Sequence, residues 1–424
     1  MHLVTRNVNT AFKELVQFFK DGQDGKTETF YRGINPIVRR DSRNGPVLMV
    51  DEPVMVTYTH PTERVLFNPA RDANPFLHVY ESLWMLAGRD DVAPLAYYAK
   101  NMANYSDDGR TLNGAYGRRW RSAKVQDGNR EHDTEYVDQL DQLVDHLKAD
   151  TNSRRAVLQM WNVEDDLMKI GGHECTWCAD GGRESCLNCG QTGLSKGSKD
   201  VCCNTAVYFS IRERHTELDS GGVTPWMQPV SVPVVDRYLD MTVTNRSNDM
   251  IWGMLGGDYT TFSFLQEYMA ARLGVEVGRY TQMTNNLHAY ESNWKPEEWL
   301  STSSVPVPII SKTVPLVKSP EAFDREVARF VEQCGGEEWR KPLVADEHGV
   351  NVAQRQDYTE PFLRDVAWPM MLAHRAHKYK GVDVHGINAF IGVCLANIED
   401  AHWQIACINW FNKRRDRRGD TAKV

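Results

Sequence analysis

The segment spanning 236–283 constrains this chain more than any other. It reads as a strand (Asp236 to Thr244), a polar turn, a long apolar helix (Tyr259 to Leu273) stopped by Gly274, and a second strand (Val275 to Met283). The turn runs Asn245-Arg246-Ser247-Asn248-Asp249-Met250-Ile251-Trp252-Gly253. An arginine beside a serine suits a phosphate. Cys203 lies upstream and Asp258 just beyond. A cysteine within reach of a guanidinium suits a thiolate nucleophile, because nearby positive charge favours ionised sulfur. With a phosphate so held, a carboxylate at 258 would sit where a nucleotide ring is read, and attack of a thiol on a pyrimidine nucleotide is one of the few chemistries that ask for all of these groups at once.

The 424 residues carry a net charge of -8, which argues against a general nucleic-acid binder. No apolar run approaches the roughly 20 residues that span a bilayer. The first 20 residues lack a signal-peptide core, so the expected compartment is the cytoplasm. In that reducing setting the nine cysteines point to metal binding or catalysis rather than disulfides.

Strands and helices mix without regular βαβ alternation, which predicts an α+β core. Helices are expected at Val8 to Lys20, Pro75 to Gly88 and Tyr136 to Lys148, and strands at Val47 to Tyr58, Arg155 to Asn162 and Thr205 to Ile211. After Trp294 the composition shifts, and helices are expected at Pro320 to Cys334, Glu360 to Tyr379 and Val384 to Lys413. The predicted organisation is a catalytic core over 1–294, an inserted module over 169–200 and a helical extension over 295–424.

The inserted module is rich in Gly, Cys, Ser and Lys. Cys175 and Cys178, then Cys186 and Cys189, form C-x2-C-x7-C-x2-C. Two such pairs match a tetrahedral four-cysteine site and predict a structural zinc.

Seven short motifs in order between 35 and 294 resemble the thymidylate synthase superfamily, which includes the pyrimidine nucleotide 5-hydroxymethylases. Ser42-Arg43-Asn44-Gly45 resembles the turn whose arginine reaches the phosphate. Glu81, in His-Val-Tyr-Glu-Ser-Leu-Trp, is similar to the glutamate that organises water and relays protons at the pyrimidine. Tyr116, in Ala-Tyr-Gly-Arg-Arg-Trp-Arg, falls in a further family segment. Arg154 and Arg155 match the pair donated across a homodimer interface to the partner's phosphate. Cys203 falls at the nucleophile, with Asn204 beside it at the base. Arg246 and Ser247 match the phosphate pair, Asp249 the folate contact, and His288 and Tyr290 the sugar contact. The resemblance thus implies a mixed sheet packed with helices, a nucleoside monophosphate substrate and 5,10-methylenetetrahydrofolate as cofactor.

Three departures choose between members. Where synthases carry an asparagine that pairs with uracil, the closest match here is Asp258, allowing one extra residue in Met254 to Gly257, with Gly257 as the other occupant of that column; a protonated carboxyl can donate to N3 of cytosine and accept from its 4-amino group. Asn204 and Cys202 stand where synthases carry histidine and proline. The segment Met102 to Asp108 lacks the tryptophans that screen the methylene intermediate from water. These features lead to the expectation of 5-hydroxymethylation of a cytidine monophosphate, dCMP first. The alternatives are a dUMP hydroxymethylase, a thymidylate synthase, a dCMP methylase, or a catalytically silent homologue that binds a partner.

Overall fold

The computed structural model describes residues 1–26, 33–126, 134–172, 194, 196–216, 234–302, 313–341, 357–378 and 384–416. The strands are β1 (His2–Thr5), β2 (Ile37–Ser42), β3 (Gly45–Val50), β4 (Val54–Tyr58), β5 (Ala123–Gln126), β6 (Thr134–Val137), β7 (Val157–Gln159), β8 (Asn204–Thr216), β9 (Val234–Asn245), β10 (Asn248–Asp249), β11 (Glu276–Thr284) and β12 (Leu287–Tyr290). The α-helices are α1 (Val8–Gln23), α2 (Pro75–Leu86), α3 (Val92–Tyr98), α4 (Tyr116–Arg121), α5 (Gln139–Ala149), α6 (Gly257–Leu273), α7 (Pro296–Ser301), α8 (Pro320–Gly335), α9 (Glu337–Arg340), α10 (Trp368–His377), α11 (Val384–Ala396) and α12 (Ala401–Asp416).

A six-stranded mixed sheet has the order β1-β4-β11-β9-β8-β7, and a four-stranded sheet has the order β10-β12-β3-β2. Period-two patterning explains the faces of the large sheet. Along β11, Tyr280, Gln282 and Thr284 are buried, while Met283 between them is exposed. The buried face packs on α6, whose Tyr259, Phe262, Leu265, Tyr268 and Met269 are enclosed on all sides. Across the other face, strand pairing aligns Val4, Thr57, Thr281, Thr242, Tyr208 and Val157 in one row. Val4, Tyr208 and Val157 of that row are exposed.

The strand expected over Val47 to Tyr58 divides into β3 and β4 around Pro53, which has no N–H for a ladder. The helix expected from Tyr136 begins only at Gln139, after the Asp138 side chain caps Leu140 and Asp141, and Tyr136 itself belongs to β6. The helix expected over Val384 to Lys413 divides into α11 and α12. Asp400 accepts from the His402 and Trp403 amides and so starts the second helix.

The helical extension shares one apolar core with the rest of the chain. The Tyr80 hydroxyl donates to Val331 O at 2.9 Å and the Tyr98 hydroxyl to Cys334 O at 2.8 Å. On α2, Phe76 meets Trp410 edge-on at 5.0 Å, and the buried His374 ring lies 5.0 Å away. At the far end of α12, Lys413 Nζ donates to Pro69 O and Arg414 pairs with Asp72 at 2.9 Å. Asp72 occupies the left-handed region with φ 53°, a conformation an aspartate keeps only where its surroundings hold it. The extension therefore braces the loop that leads into α2.

Removing this brace has a measurable cost. Trp410→Ala is expected to destabilise the whole chain by about 3–5 kcal/mol, in one cooperative transition on chemical denaturation. A separate early transition of the extension would contradict the shared core.

Candidate active site

Cys203 sits immediately before β8, and Arg246 immediately after β9, its antiparallel neighbour. The strand pairing brings the two together. Arg246 N donates to Cys203 O at 3.0 Å, its Nε to Cys202 O at 3.0 Å and its Nη2 to Val201 O at 2.9 Å. The same Nη2 lies 3.7 Å from Cys203 Sγ. Cys203 is partly exposed, whereas Cys202 is buried with its thiol donating to Asn204 O at 3.1 Å. Of the two adjacent cysteines, Cys203 is the partly exposed one, with the Arg246 guanidinium against its sulfur.

Proximity to Arg246 leads to the expectation of an acidified thiol. Burial outweighs it and pushes the Cys203 thiol up to about 11, with Asp258 and Asp200 adding to the rise and Arg246 and Arg43 opposing it. Thiolate formation thus depends on the arginines.

Asp258 lies in the first turn of α6, where Gly256 is the N-cap and makes no side-chain cap. Its Oδ2 accepts from Asn248 Nδ2 at 2.9 Å, and the Tyr116 hydroxyl also lowers its pKa by hydrogen bonding. Burial dominates nevertheless and raises Asp258 to about 6. A Cβ on Gly253 would fall 1.8 Å from Asn248 Oδ1, so glycine there lets the Asn248 amide reach the carboxylate. Glu81, on α2, is pushed up to about 8 by burial and by the charges of Asp258 and Asp200. Two interacting carboxyl groups with separated pKa values can divide acid and base work.

The small sheet assembles a second wall. Asp249 pairs with His288 across β10 and β12, and Tyr290 follows two residues on. The His288 ring stands 5.2 Å from Tyr290, and its Nδ1 is 3.5 Å from Ser247 Oγ. Tyr290 Oη accepts from Asn44 Nδ2 at 3.4 Å. Asp249 Oδ1 caps the turn after β10 by accepting from Ile251 N at 2.8 Å, while its Oδ2 is buried without a partner. Next to it, Arg71 lays its guanidinium over the half-exposed Trp252 ring at 4.1 Å and leaves Nη1 buried and unpaired. An orphan acceptor, an orphan donor and an aromatic face fit a flat heterocycle with N–H and carbonyl edges.

Other expected residues lie at varying distance from this centre. Arg43 donates to Ser198 O and Lys199 O, at 3.4 and 3.0 Å, on the segment leading to Cys203. Asn204 is fully buried and directs its amide to Thr244 O at 2.8 Å, so it braces the two strands within this chain. Arg154 and Arg155 are exposed before β7, at the edge of the large sheet. Cys175, Cys178, Cys186 and Cys189 fall outside the described residues. Among the described residues, no group of three or more His, Cys, Asp or Glu is arranged to hold a metal ion.

Two residues escaped the sequence reading. Arg71 precedes α2 with no motif around it. Asp200 ends the polar run over 169–200, and in the fold its carboxylate accepts from Gly114 N at 2.8 Å. Its place three residues before Cys203 was the available signal.

Glu81 yields a test in two readouts. Folded Glu81 keeps its proton between its ordinary value of 4.5 and about 8, where the unfolded chain has lost it, so stability falls as pH rises through that window. Glu81→Gln removes this loss. The variant's melting temperature relative to the parent is expected to rise by about 2–4 °C between pH 5 and pH 8, while turnover falls roughly 10²–10⁴-fold. Calorimetry at both pH values checks the first, and a constant difference would contradict it.

Residues 70–329 match the thymidylate synthase family pattern. The chain is 35% identical over 414 residues to a deoxyuridylate hydroxymethyltransferase of Pseudomonas phage M6, covering 97% of this chain and 93% of that protein. It is 34% identical over 238 residues to the enzyme of the same name from Bacillus phage SP01, covering 56% of this chain and 49% of that one. A thymidylate synthase of Buchnera aphidicola matches over 88 residues at 35% identity, covering 20% of this chain and 31% of that one. Matched over residues 70–329 and, by the phage M6 relative, over 97% of its length, the chain belongs to the thymidylate synthase family, one-carbon transferases acting on pyrimidine nucleotides.

Proposed function

We propose that this enzyme installs a hydroxymethyl group at C5 of dUMP, with 5,10-methylenetetrahydrofolate as the one-carbon donor. The observation that carries the reading is the Arg246 to Cys203 contact at 3.7 Å beside the raised carboxyl groups of Glu81 and Asp258. The name shared by the phage M6 and phage SP01 relatives supports the choice of uracil and of the hydroxymethyl product.

In this mechanism the phosphate engages Arg246, Ser247 and Arg43, and His288 and Tyr290 meet the sugar. Cys203 thiolate adds to C6 and turns C5 into a carbon nucleophile. The folate supplies one carbon at the oxidation level of formaldehyde; the Asp249, Arg71 and Trp252 wall would hold its ring. Glu81, held as an acid at neutral pH, donates and recovers protons near the ring. Water then captures the methylene on C5. The segment Met102 to Asp108 carries no tryptophan to exclude that water.

Asp258 supports uracil in its acid form, donating to O4 and accepting from N3–H. The same acid form pairs with N3 and the 4-amino group of cytosine, so dCMP is the second reading, carried by that one residue. Tritium release from dUMP and from dCMP labelled at C5, with product mass, decides between them. Asp258→Asn is expected to shift the ratio of kcat/KM toward dUMP by at least about tenfold. It should also remove the fall in kcat/KM as pH rises through about 6, since the acid form is the one that reads the base. An unchanged ratio would show that Asp258 does not read the base.

The exposed row of the large sheet, with Arg154 and Arg155 at its β7 edge, supports a homodimer in which each subunit lends these arginines to its partner's phosphate. Cys203→Ala subunits mixed with Arg154→Ala/Arg155→Ala subunits should then recover about a quarter of wild-type activity from two inactive parents, since half the dimers hold one complete site. No recovery after confirmed subunit exchange would refute the sharing.

The four module cysteines would hold one structural zinc. The stem of the module supports a self-contained insertion, because Ser198 N donates to Lys169 O at 2.8 Å where its two ends meet.

A further inference from the structure

The stem of the inserted module delivers a third carboxyl group to the reaction centre. Ser198 and Lys199 are tied to the segment that lacks tryptophan: Lys199 N donates to Asp107 Oδ1 at 3.0 Å, Lys199 Nζ to Ser106 O at 3.0 Å, and Ser198 Oγ to Asp107 Oδ2 at 2.5 Å. Asp200 follows. Asn113 Nδ2 donates to its carbonyl at 3.1 Å and Gly114 N to its Oδ2 at 2.8 Å. A Cβ on Gly114 would meet that carboxylate at 2.8 Å, so the close approach needs glycine. From this fixed position Asp200 raises the pKa of Cys203, Glu81, Tyr116 and Tyr105 through its charge. The carbonyls on either side of it are held by arginines, Lys199 O by Arg43 at 3.0 Å and Val201 O by Arg246 at 2.9 Å, so Asp200 sits between the two arginines that stand beside Cys203.

In the mechanism above the other carboxyl groups at the centre already have tasks. Glu81 holds its proton at neutral pH, Asp258 faces the base, and Asp249 caps a turn with one oxygen. We propose that Asp200 is the general base that orients and deprotonates the water captured by the C5 methylene, an assignment that rests on the hydroxymethyl reading above. In that step the water oxygen forms a bond to the methylene carbon and its proton passes to Asp200. The electron pair of the exocyclic C=C returns to the ring as an enolate. The enolate then restores the C5–C6 double bond and expels Cys203 as thiolate, and the proton on Asp200 returns to solvent.

Asp200→Asn tests this, because an asparagine carbonyl still accepts from Gly114 N while losing basicity. Single turnovers with enzyme in excess of tritiated nucleotide separate C5 proton loss from water capture. The expected result is tritium release within about threefold of wild type and hydroxymethyl formation slowed by roughly 10²-fold. The covalent Cys203 nucleotide adduct should accumulate by intact mass, 2-mercaptoethanol should divert it to a thioether, and Asp200→Glu should recover part of the capture rate. Tritium release and product slowed in equal proportion, or an unchanged ratio between them, overturns the assignment while the hydroxymethyl reading stands. A wild-type enzyme that forms no hydroxymethyl nucleotide overturns both.

Discussion

The Arg246 guanidinium is the hinge of this structure. It holds the carbonyls of Val201 and Cys202 and reaches the Cys203 sulfur, so one side chain fixes the approach to β8 against the exit of β9. Its position is set by the long β8–β9 pairing, whose register runs from Asn204 opposite Asn245 to Thr216 opposite Val234. Chemistry and sheet stability thus depend on the same contact. An arginine suits both demands, because a planar fork can satisfy several carbonyls and still present positive charge to a thiol and a phosphate.

Much of the candidate site was legible in the sequence because its residues lie in short motifs next to regular elements. Glu81 follows from a glutamate within an apolar helix, and Arg246, Ser247 and Asp249 from a polar turn between strand and helix. What the motifs could not reveal was the sum of opposing fields. Adjacency of Cys203 to Arg246 suggested acidification, yet burial and two carboxylates dominate. The helix expected from Tyr259 starts at Gly257, so Asp258 lies within its first turn and its carboxylate turns to Asn248. Asp200 and Arg71 were missed for a related reason. Each gains its meaning from a partner far away in sequence, Gly114 for the first and Trp252 for the second.

The fold reading was accurate where hydrophobic periodicity was long and failed at boundaries governed by a single polar side chain. Asp138 delays the start of α5, and Asp400 divides the last helical stretch. Such caps are short-range and specific, and a run of apolar residues on both sides hides them. The architecture of the extension was also hidden, since its packing on α2 joins residues more than 300 positions apart, as in the contact of Phe76 with Trp410.

The closed stem at Lys169 and Ser198 has a further meaning for how such a protein changes over generations. Because the two ends of the insertion are bonded to each other, whatever lies between them can lengthen, shorten or be replaced without moving the strand that starts at Asn204. On the proposed reading, selection can therefore remodel the module as a separable attachment, while the residues just past its stem, next to the proposed nucleophile, stay under the constraints of catalysis.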